Sequence, residues 1–400
     1  DVKRQTSDVR RYQSQIPNPK FQIPKLKTKN SKLLTPSTPN SQLHALEVLT
    51  TKKVTAVNIV KMIRFIVCNI ALAALTLVSC NSENHNTENQ KSNIQLDYSF
   101  GHDSPGLLSN PYKLASDYDR FIYVSDPYRS IVYQYDMEGN FIREIGDRGR
   151  GPGELTHASV ISADTGIVVV EDQGNKRTQI FDSKGEVQSI FQHLHSSISM
   201  AVHDGKMYSF SPSSFSMSSI LEQDSLFVVT DFDGKEVRQF GEMKYTNSGL
   251  PLGAHWQAMK KKRKKLYVVY IYFPVLEIYD LSGNKEFEMN LNDFEGLYNF
   301  NEDIITTLPA ESANQQMEAV VRAIDVIDEN IYIMRQNKDV MIDKFIFNEG
   351  SLSHEETFIY TSKSEEYFPI DMIADPSGDG FYILELGGQP KVSRYGVIRN

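Results

Sequence analysis

The residues of this chain that could do chemistry are few and scattered. Glu171, Asp172, Asp371, His157 and His255 are the groups best suited to hold a divalent metal or move a proton, because such work needs oxygen or imidazole donors converging on one point. No subset of them has the spacing of a ligand set. Gly-x-Ser-x-Gly, His-Glu-x-x-His, P-loop and dinucleotide-binding glycine patterns do not occur in a supporting context. The sequence therefore assigns no catalytic residue, no metal ligand and no cofactor. What it offers instead is a thiol, Cys80, at the end of an apolar run, and a set of cationic and aromatic residues suited to recognition.

Recognition needs elements that bring distant residues together, and here those elements repeat. The stretch 131–155, IVYQYDMEGNFIREIGDRGRGPGEL, reads as two strands, a hairpin and a glycine-rich exit. Its turn recurs as Tyr135-Asp136-x-x-Gly139, Phe181-Asp182-x-x-Gly185, Thr230-Asp231-x-x-Gly234 and Tyr279-Asp280-x-x-Gly283. A fifth copy, Ile346-Phe347-x-x-Gly350, keeps the glycine and loses the Asp. The anchors 136, 182, 231 and 280 lie 46, 49 and 49 residues apart, and the step to 347 is 67. An Asp at the first position can bond the turn's amides, and a Gly at the fourth accepts the positive φ of a bulged hairpin. Four such turns at near-constant spacing, each after an alternating apolar strand, signal a propeller.

Each unit divides into four strands. The first is read as Tyr112–Ala115, Phe121–Ser125, Ile131–Tyr135 and Phe141–Ile145, and the second as Ser159–Ala163, Ile167–Glu171, Thr178–Phe181 and Val187–Phe191. Later second strands fall at Lys206–Phe210, Leu266–Tyr270, Ile331–Met334 and Phe381–Leu384, which makes six units. The sixth has a third strand, Lys391–Tyr395, but no outer strand before Asn400. Ile94–Phe100 followed by Gly101, IQLDYSFG, matches FIREIG at 141–146 and EVRQFG at 236–241, and supplies the missing strand. The expected fold is all-β: a six-bladed β-propeller of four-stranded antiparallel blades over 94–400, its ring closed by the N-terminal strand 94–100 joining the C-terminal blade.

Charge and cysteine usage bound what such a domain meets. The net charge of -9 conceals +9 on residues 1–61 and -18 on the rest, so the folded region is a poor partner for nucleic acid. Both cysteines, Cys68 and Cys80, precede the repeats, which must hold together by packing alone. Residues 1–61, rich in Lys, Ser, Thr, Asn and Pro without sustained periodicity, read as a disordered or upstream leader. Residues 62–79 carry one Arg and an apolar run from Phe65 to Val78, which suits a signal peptide. Residues 80–93 are polar and read as a tether.

Three resemblances add to this. Leu77-Val78-Ser79-Cys80 resembles a bacterial lipobox, which implies a diacylglyceryl group on the Cys80 thiol and attachment to a membrane without spanning it. Glu171-Asp172-Gln173-Gly174-Asn175-Lys176-Arg177-Thr178-Gln179-Ile180-Phe181-Asp182 resembles an NHL repeat, and Gly149-Arg150-Gly151-Pro152-Gly153-Glu154-Leu155 the loop between such repeats. The region from Met62 to Asn400 is similar to the six-bladed propeller lipoproteins common in Bacteroides-type bacteria. That resemblance implies a fold and a place in the cell envelope, on the outer membrane and facing either the periplasm or the surface; it does not imply a reaction.

On a propeller, the outer-to-inner connections and the loops between second and third strands share one face. That face carries Tyr128, Arg129, Arg148, Arg150, Lys176, Arg177, Tyr272, Phe273, Arg335 and Gln389, with His157, His255, Arg322 and Asp371 at the inner-strand starts. Tyr128, Arg129, Arg150, His157, Lys176, His255, Tyr272, Arg322 and Asp371 are the expected ligand-binding set, a basic and aromatic rim suited to a carboxylated or glycan-like partner. In NHL-like repeats Asp172, Asn175 and Arg177 brace their own loop. The stretch 310–323 reads as a helical insertion on the same face, and Lys260-Lys261-Lys262-Arg263-Lys264-Lys265 as a hairpin tip on the opposite one.

The expected function is that of a non-catalytic, lipid-anchored binding or scaffolding propeller with a protein or glycan partner. The alternative is a hydrolase resembling the calcium-dependent six-bladed lactonases, which would need Glu171, Asp172, Asp371, His157 and His255 to converge on a metal.

Overall fold

The computed structural model describes residues 90–192, 197, 199–210, 225–242, 255–260 (as backbone), 264–271, 274–294, 297, 321–336, 340–360 and 368–399. The chain enters through β1 (Gln90–Phe100). Blade 1 follows as β2 (Lys113–Ser116), β3 (Phe121–Asp126), β4 (Ile131–Asp136) and β5 (Phe141–Ile145). A short parallel ribbon, β6 (Asp147–Arg148) and β7 (Glu154–Leu155), leads to blade 2: β8 (Ala158–Asp164), β9 (Ile167–Asp172), β10 (Arg177–Asp182) and β11 (Val187–Gln192). Blade 3 is β12 (Ser199–His203), β13 (Lys206–Phe210), β14 (Ser225–Asp231) and β15 (Glu236–Glu242). Blade 4 is β16 (His255–Lys260), β17 (Lys265–Tyr270), β18 (Val275–Asp280) and β19 (Lys285–Asn290). Blade 5 is β20 (Val321–Ile327), β21 (Asn330–Gln336), β22 (Val340–Asn348) and β23 (Ser351–Tyr360). Blade 6 is β24 (Phe368–Ala374), β25 (Gly380–Leu386) and β26 (Lys391–Val397), completed by β1.

Strand patterning explains the layering. Middle strands such as FIYVSD and IVVVED are buried almost throughout, as strands sandwiched between neighbouring blades must be. Outer strands such as VQSIFQ alternate half-buried with exposed residues. The inner strands neighbour one another in a closed circuit, β2, β8, β12, β16, β20, β24 and back to β2. The apolar core is correspondingly divided into six clusters, one at each blade junction. The junction of blades 6 and 1, for example, joins Ile373, Tyr382, Leu384 and Val392 to Leu114, Ile122, Val124 and Tyr133.

The Asp-x-x-Gly turns behave as their chemistry requires. The carboxylates of Asp136, Asp182 and Asp231 each accept the amides two and four residues on, at 2.7 to 3.1 Å. In all four turns the glycine φ lies between 82° and 92°, and a register shift marks the bulge beside it. These glycines have a second role. A methyl at Gly139 would run into Phe100, at Gly234 into Phe191, and at Gly283 into Phe240, each an outer-strand aromatic of the preceding blade. Blade 5 solves the turn differently: Glu349 and Gly350, with φ of 50° and 81°, make a two-residue hairpin that needs no Asp.

Ring closure follows the expected pairing, with Ile94 opposite Val397 and Phe100 opposite Val392 in antiparallel register. The strand is longer than the sequence suggests, however. Gln90–Asn93, read above as tether, lie parallel to Glu356–Ile359 on the outer edge of blade 5, so blades 5 and 6 form one eight-stranded sheet. This covers an edge that would otherwise present unpaired amides and carbonyls. The expected leader and signal peptide lie outside the described residues, as do residues 310–320 of the helical insertion expected over 310–323; its last three residues, Val321 to Ala323, are not helical but open the inner strand β20. Among the described residues no helix is long and apolar enough to cross a membrane.

Candidate functional site

The loop face of blades 1 and 2 is built by backbone capture. Asp126 closes the loop after β3 by accepting the amides of Ser109 (2.7 Å), Asn110 (3.1 Å) and Arg129 (3.1 Å). Its counterpart in blade 2, Asp172, is fully buried and accepts Thr156 N at 2.7 Å, Asn175 Nδ2 at 2.7 Å and Arg177 Nε at 3.0 Å. Arg177 continues to the carbonyls of Arg150, Gly151 and Glu154 at 2.7 to 2.9 Å, and Gln179 donates to the Glu154 carbonyl at 2.6 Å. The glycine-rich exit 146–156 is thus pinned from both sides. Asp172, Asn175 and Arg177 are braces, and they leave the neighbouring cations exposed.

Those neighbours form one continuous surface. Tyr128 is 61% exposed, and the Arg148 guanidinium reaches its carbonyl at 3.5 Å. Arg129 lies 5.9 Å over the Tyr133 ring, donates to the Leu107 carbonyl at 3.4 Å and approaches Glu144 at 3.8 Å. Arg150 and Lys176 are exposed beside the brace, Lys176 with a φ of 54°. His157 is exposed with a φ of 66°, its amide held by the Ser130 hydroxyl at 3.2 Å, and partial burial draws its pKa below the ordinary histidine value. Five of the nine expected ligand-binding residues, Tyr128, Arg129, Arg150, His157 and Lys176, therefore share this surface.

The others do not. Asp371 is a correction: its carboxylate is nearly inaccessible and already used, accepting Lys113 Nζ at 2.9 Å and the Leu114 amide at 2.7 Å. Arg335, placed on the rim from sequence, is likewise buried, with its Nε 2.5 Å from Asp343. Arg322 sits half-buried at a bulge in β20, and Gln389 bonds the His102 carbonyl. His255 begins β16, but its side chain, together with Cys80, Tyr272 and Phe273, lies outside the described residues.

Sequence reasoning missed two contributors to the surface, Leu107 and Tyr112, which are 37% and 45% exposed. Nothing in the sequence distinguishes Leu107 from Leu108, which is buried. It also missed the channel pair Tyr118 and Asp325. The Tyr118 hydroxyl bonds Asp325, whose other oxygen accepts the Ala374 amide of blade 6 at 2.7 Å. Burial pushes Asp325 up to about 6 despite these bonds.

The channel between the inner strands leaves about 70 Å³, lined by Lys113, Ser116, Tyr118, Asp325, Asp371 and apolar neighbours. Small-molecule sites take roughly 300 to 1,000 Å³. Among the described residues no three of His, Cys, Asp and Glu converge as metal ligands. Glu171 instead accepts the Ser197 amide of the next blade at 2.5 Å, and burial pushes its carboxyl up to about 8.

Comparison with known proteins follows the same lines. No curated protein matches the chain. A DUF4221 member from Bacteroides vulgatus has a similar structure, with a TM-score of 0.51 and 12% identity over 78% of this chain and 99% of that one. A Bacteroides fragilis protein described as a candidate exported protein gives 0.50 and 13% over 78% and 99%. At such identities the likeness concerns the fold. The sequence model of DUF5128, described as a 6-bladed beta-propeller, matches residues 105–363, well over half of the sequence. With six blades, a closed ring of inner strands and that match, the chain belongs to the DUF5128 family of six-bladed β-propellers.

Proposed function

We propose that this chain is a lipid-anchored binding or scaffolding propeller of the bacterial cell envelope, recognising a protein or glycan partner through the loop face of blades 1 and 2. The observation that carries the reading is the surface on which Leu107, Tyr112 and Tyr128 stand among Arg129, Arg148, Arg150 and Lys176, on a region whose net charge is otherwise strongly negative. Guanidinium groups fit carboxylates, and aromatic faces fit apolar or sugar-ring faces. The braced loops hold this set in place before binding, which lowers the ordering cost of association. The narrow channel, with its carboxylates engaged between blades, suits a structural role better than a binding one. Envelope placement is supported by the lipobox-like Leu77-Val78-Ser79-Cys80 and by the Bacteroides fragilis relative described as a candidate exported protein.

The test is titration of the full-length chain with polygalacturonate, an acidic glycan, and with uncharged dextran. Binding of the first and not the second is expected, with loss in an Arg129→Glu, Arg150→Glu double variant. Equal binding of dextran, or unchanged binding by the variant, would contradict the reading.

A further inference from the structure

A second concavity lies on the other face of the ring. It occupies about 360 Å³ between blades 5 and 6, where Gln90–Ser92 cross onto β23, and its far wall is formed by Val397, at the end of β26, with Ile398 and Arg399 after it. Gly378, in the turn between β24 and β25, also lines it, which places it at the ends of the blades opposite the loop face. It is independent of the surface described above.

The lining is unusual in how little of it is paired. Among the described residues Lys91, Lys344, Arg399 and Glu356 make no ion pair or side-chain hydrogen bond, although Lys344 and Glu356 are register partners on adjacent strands and Glu356 in turn faces Gln90. At the base sits Tyr332, only 4% exposed, its ring edge-on to Phe381 at 5.4 Å. Other buried tyrosine hydroxyls are satisfied: Tyr270 and Tyr279 donate to Glu277 at 2.9 Å, and Tyr395 to Glu385 at 2.8 Å. The Tyr332 hydroxyl has no such partner. It is not one of the fully buried polar atoms that lack a partner among the described residues, so the hydroxyl opens onto the cleft, where a ligand can reach it. Its pKa is pushed up to about 12, chiefly by burial and then by the charges of Asp325 and Glu356, with Arg399 opposing them.

We infer that this cleft binds a small anionic sugar, a monosaccharide carrying a carboxylate or phosphate group. Three cations against one carboxylate select an anion. Glu356, Gln90 and the Tyr332 hydroxyl supply the acceptors and donors that sugar hydroxyls require. The volume lies at the low end for ligand sites and fits one sugar unit in preference to an extended chain.

Calorimetric titration of the full-length chain with glucuronate, glucose 6-phosphate, glucose and inorganic phosphate tests this. Binding of at least one anionic sugar is expected, tighter than inorganic phosphate or glucose; which of the two binds distinguishes a carboxylate from a phosphate source. Tyr332→Phe, which keeps the ring packing, should weaken it by roughly fivefold, and Lys344→Gln with Arg399→Gln by about tenfold or more. The proposal is overturned if neither anionic sugar binds, if phosphate or glucose binds equally well, or if the variants bind as the parent does. Binding that appears only when residues 80–89 are deleted would show that the chain's own segment fills the cleft, and would overturn it too.

Discussion

The Asp371 carboxylate accepts the amide of Leu114 at 2.7 Å, and through that bond the innermost strand of the last blade holds the innermost strand of the first. The same carboxylate pairs with Lys113 at 2.9 Å. Asp325 and Glu171 repeat the device at other junctions, each accepting an amide from the following blade. A propeller without disulfides in its blades is thus fastened at three of its junctions by buried carboxylates as well as by apolar packing.

Asp371→Ala leaves the Lys113 ammonium and the Leu114 amide without their acceptor in a poorly solvated place. It should lower stability by about 2 to 4 kcal/mol. Asp371→Asn, which can still accept the amide, should cost about half as much. Chemical denaturation midpoints of the two variants check this; an Ala variant as stable as the parent would remove the ring-fastening role.

Glu171 has a pKa raised to about 8 in the folded chain, above its ordinary value near 4.5. The folded state therefore binds the extra proton, and the stability linked to this group is fully present below about pH 4.5 and is lost as pH rises through about 8. The slope approaches 1.4 kcal/mol per pH unit between those limits. Glu171→Gln keeps an oxygen for Ser197 and removes the titration. Melting temperature measured from pH 5 to 9 should fall less steeply in the variant than in the parent; identical slopes would contradict the assignment.

Arg177 carries the brace under the glycine-rich exit, so Arg177→Ala strands buried Asp172 and three carbonyls. A cost of about 2 to 3 kcal/mol is expected. The specific readout is amide hydrogen exchange across 146–156, which should accelerate more than exchange in β9. Arg177→Lys should not restore it, since an ammonium cannot span the same acceptors.

If Cys80 carries the lipid, Cys80→Ser should move the protein from the membrane fraction to the soluble one and abolish incorporation of a labelled fatty acid. Retention in the membrane fraction with no label in the parent would contradict the anchor.

Much of the fold was legible because its signals are local. The Asp-x-x-Gly turns depend on five consecutive residues, and the closing strand announces itself by matching the outer strands of other blades. Gln90–Asn93 were not legible, because QKSN has no apolar alternation and joins blade 5 by backbone pairing, for which side-chain identity is nearly irrelevant. The site was legible in part. Tyr128, Arg129, Arg150, His157 and Lys176 follow from the loop register. Asp371 was expected at an inner-strand start and is instead the fourth residue of β24; its partners lie 257 and 258 residues away, and a sequence shows a charge without showing what neutralises it. The free groups of the cleft beneath blades 5 and 6 were invisible for the same reason, since its walls come from segments far apart in the sequence, 90–92, 332–358 and 397–399.

Recognition through the loop face is tested most directly by charge reversal on two faces of the same molecule. The double variant Arg129→Glu, Arg150→Glu alters the loop face of blades 1 and 2, whereas Lys235→Glu with Lys264→Glu makes the same change in net charge on exposed turns of the opposite face. Titrated with polygalacturonate at fixed salt, the first should lose about tenfold or more in affinity, roughly 1.4 kcal/mol, and the second should stay within about twofold of the parent. Equal losses in both, or no loss in the first, would contradict a partner site on blades 1 and 2.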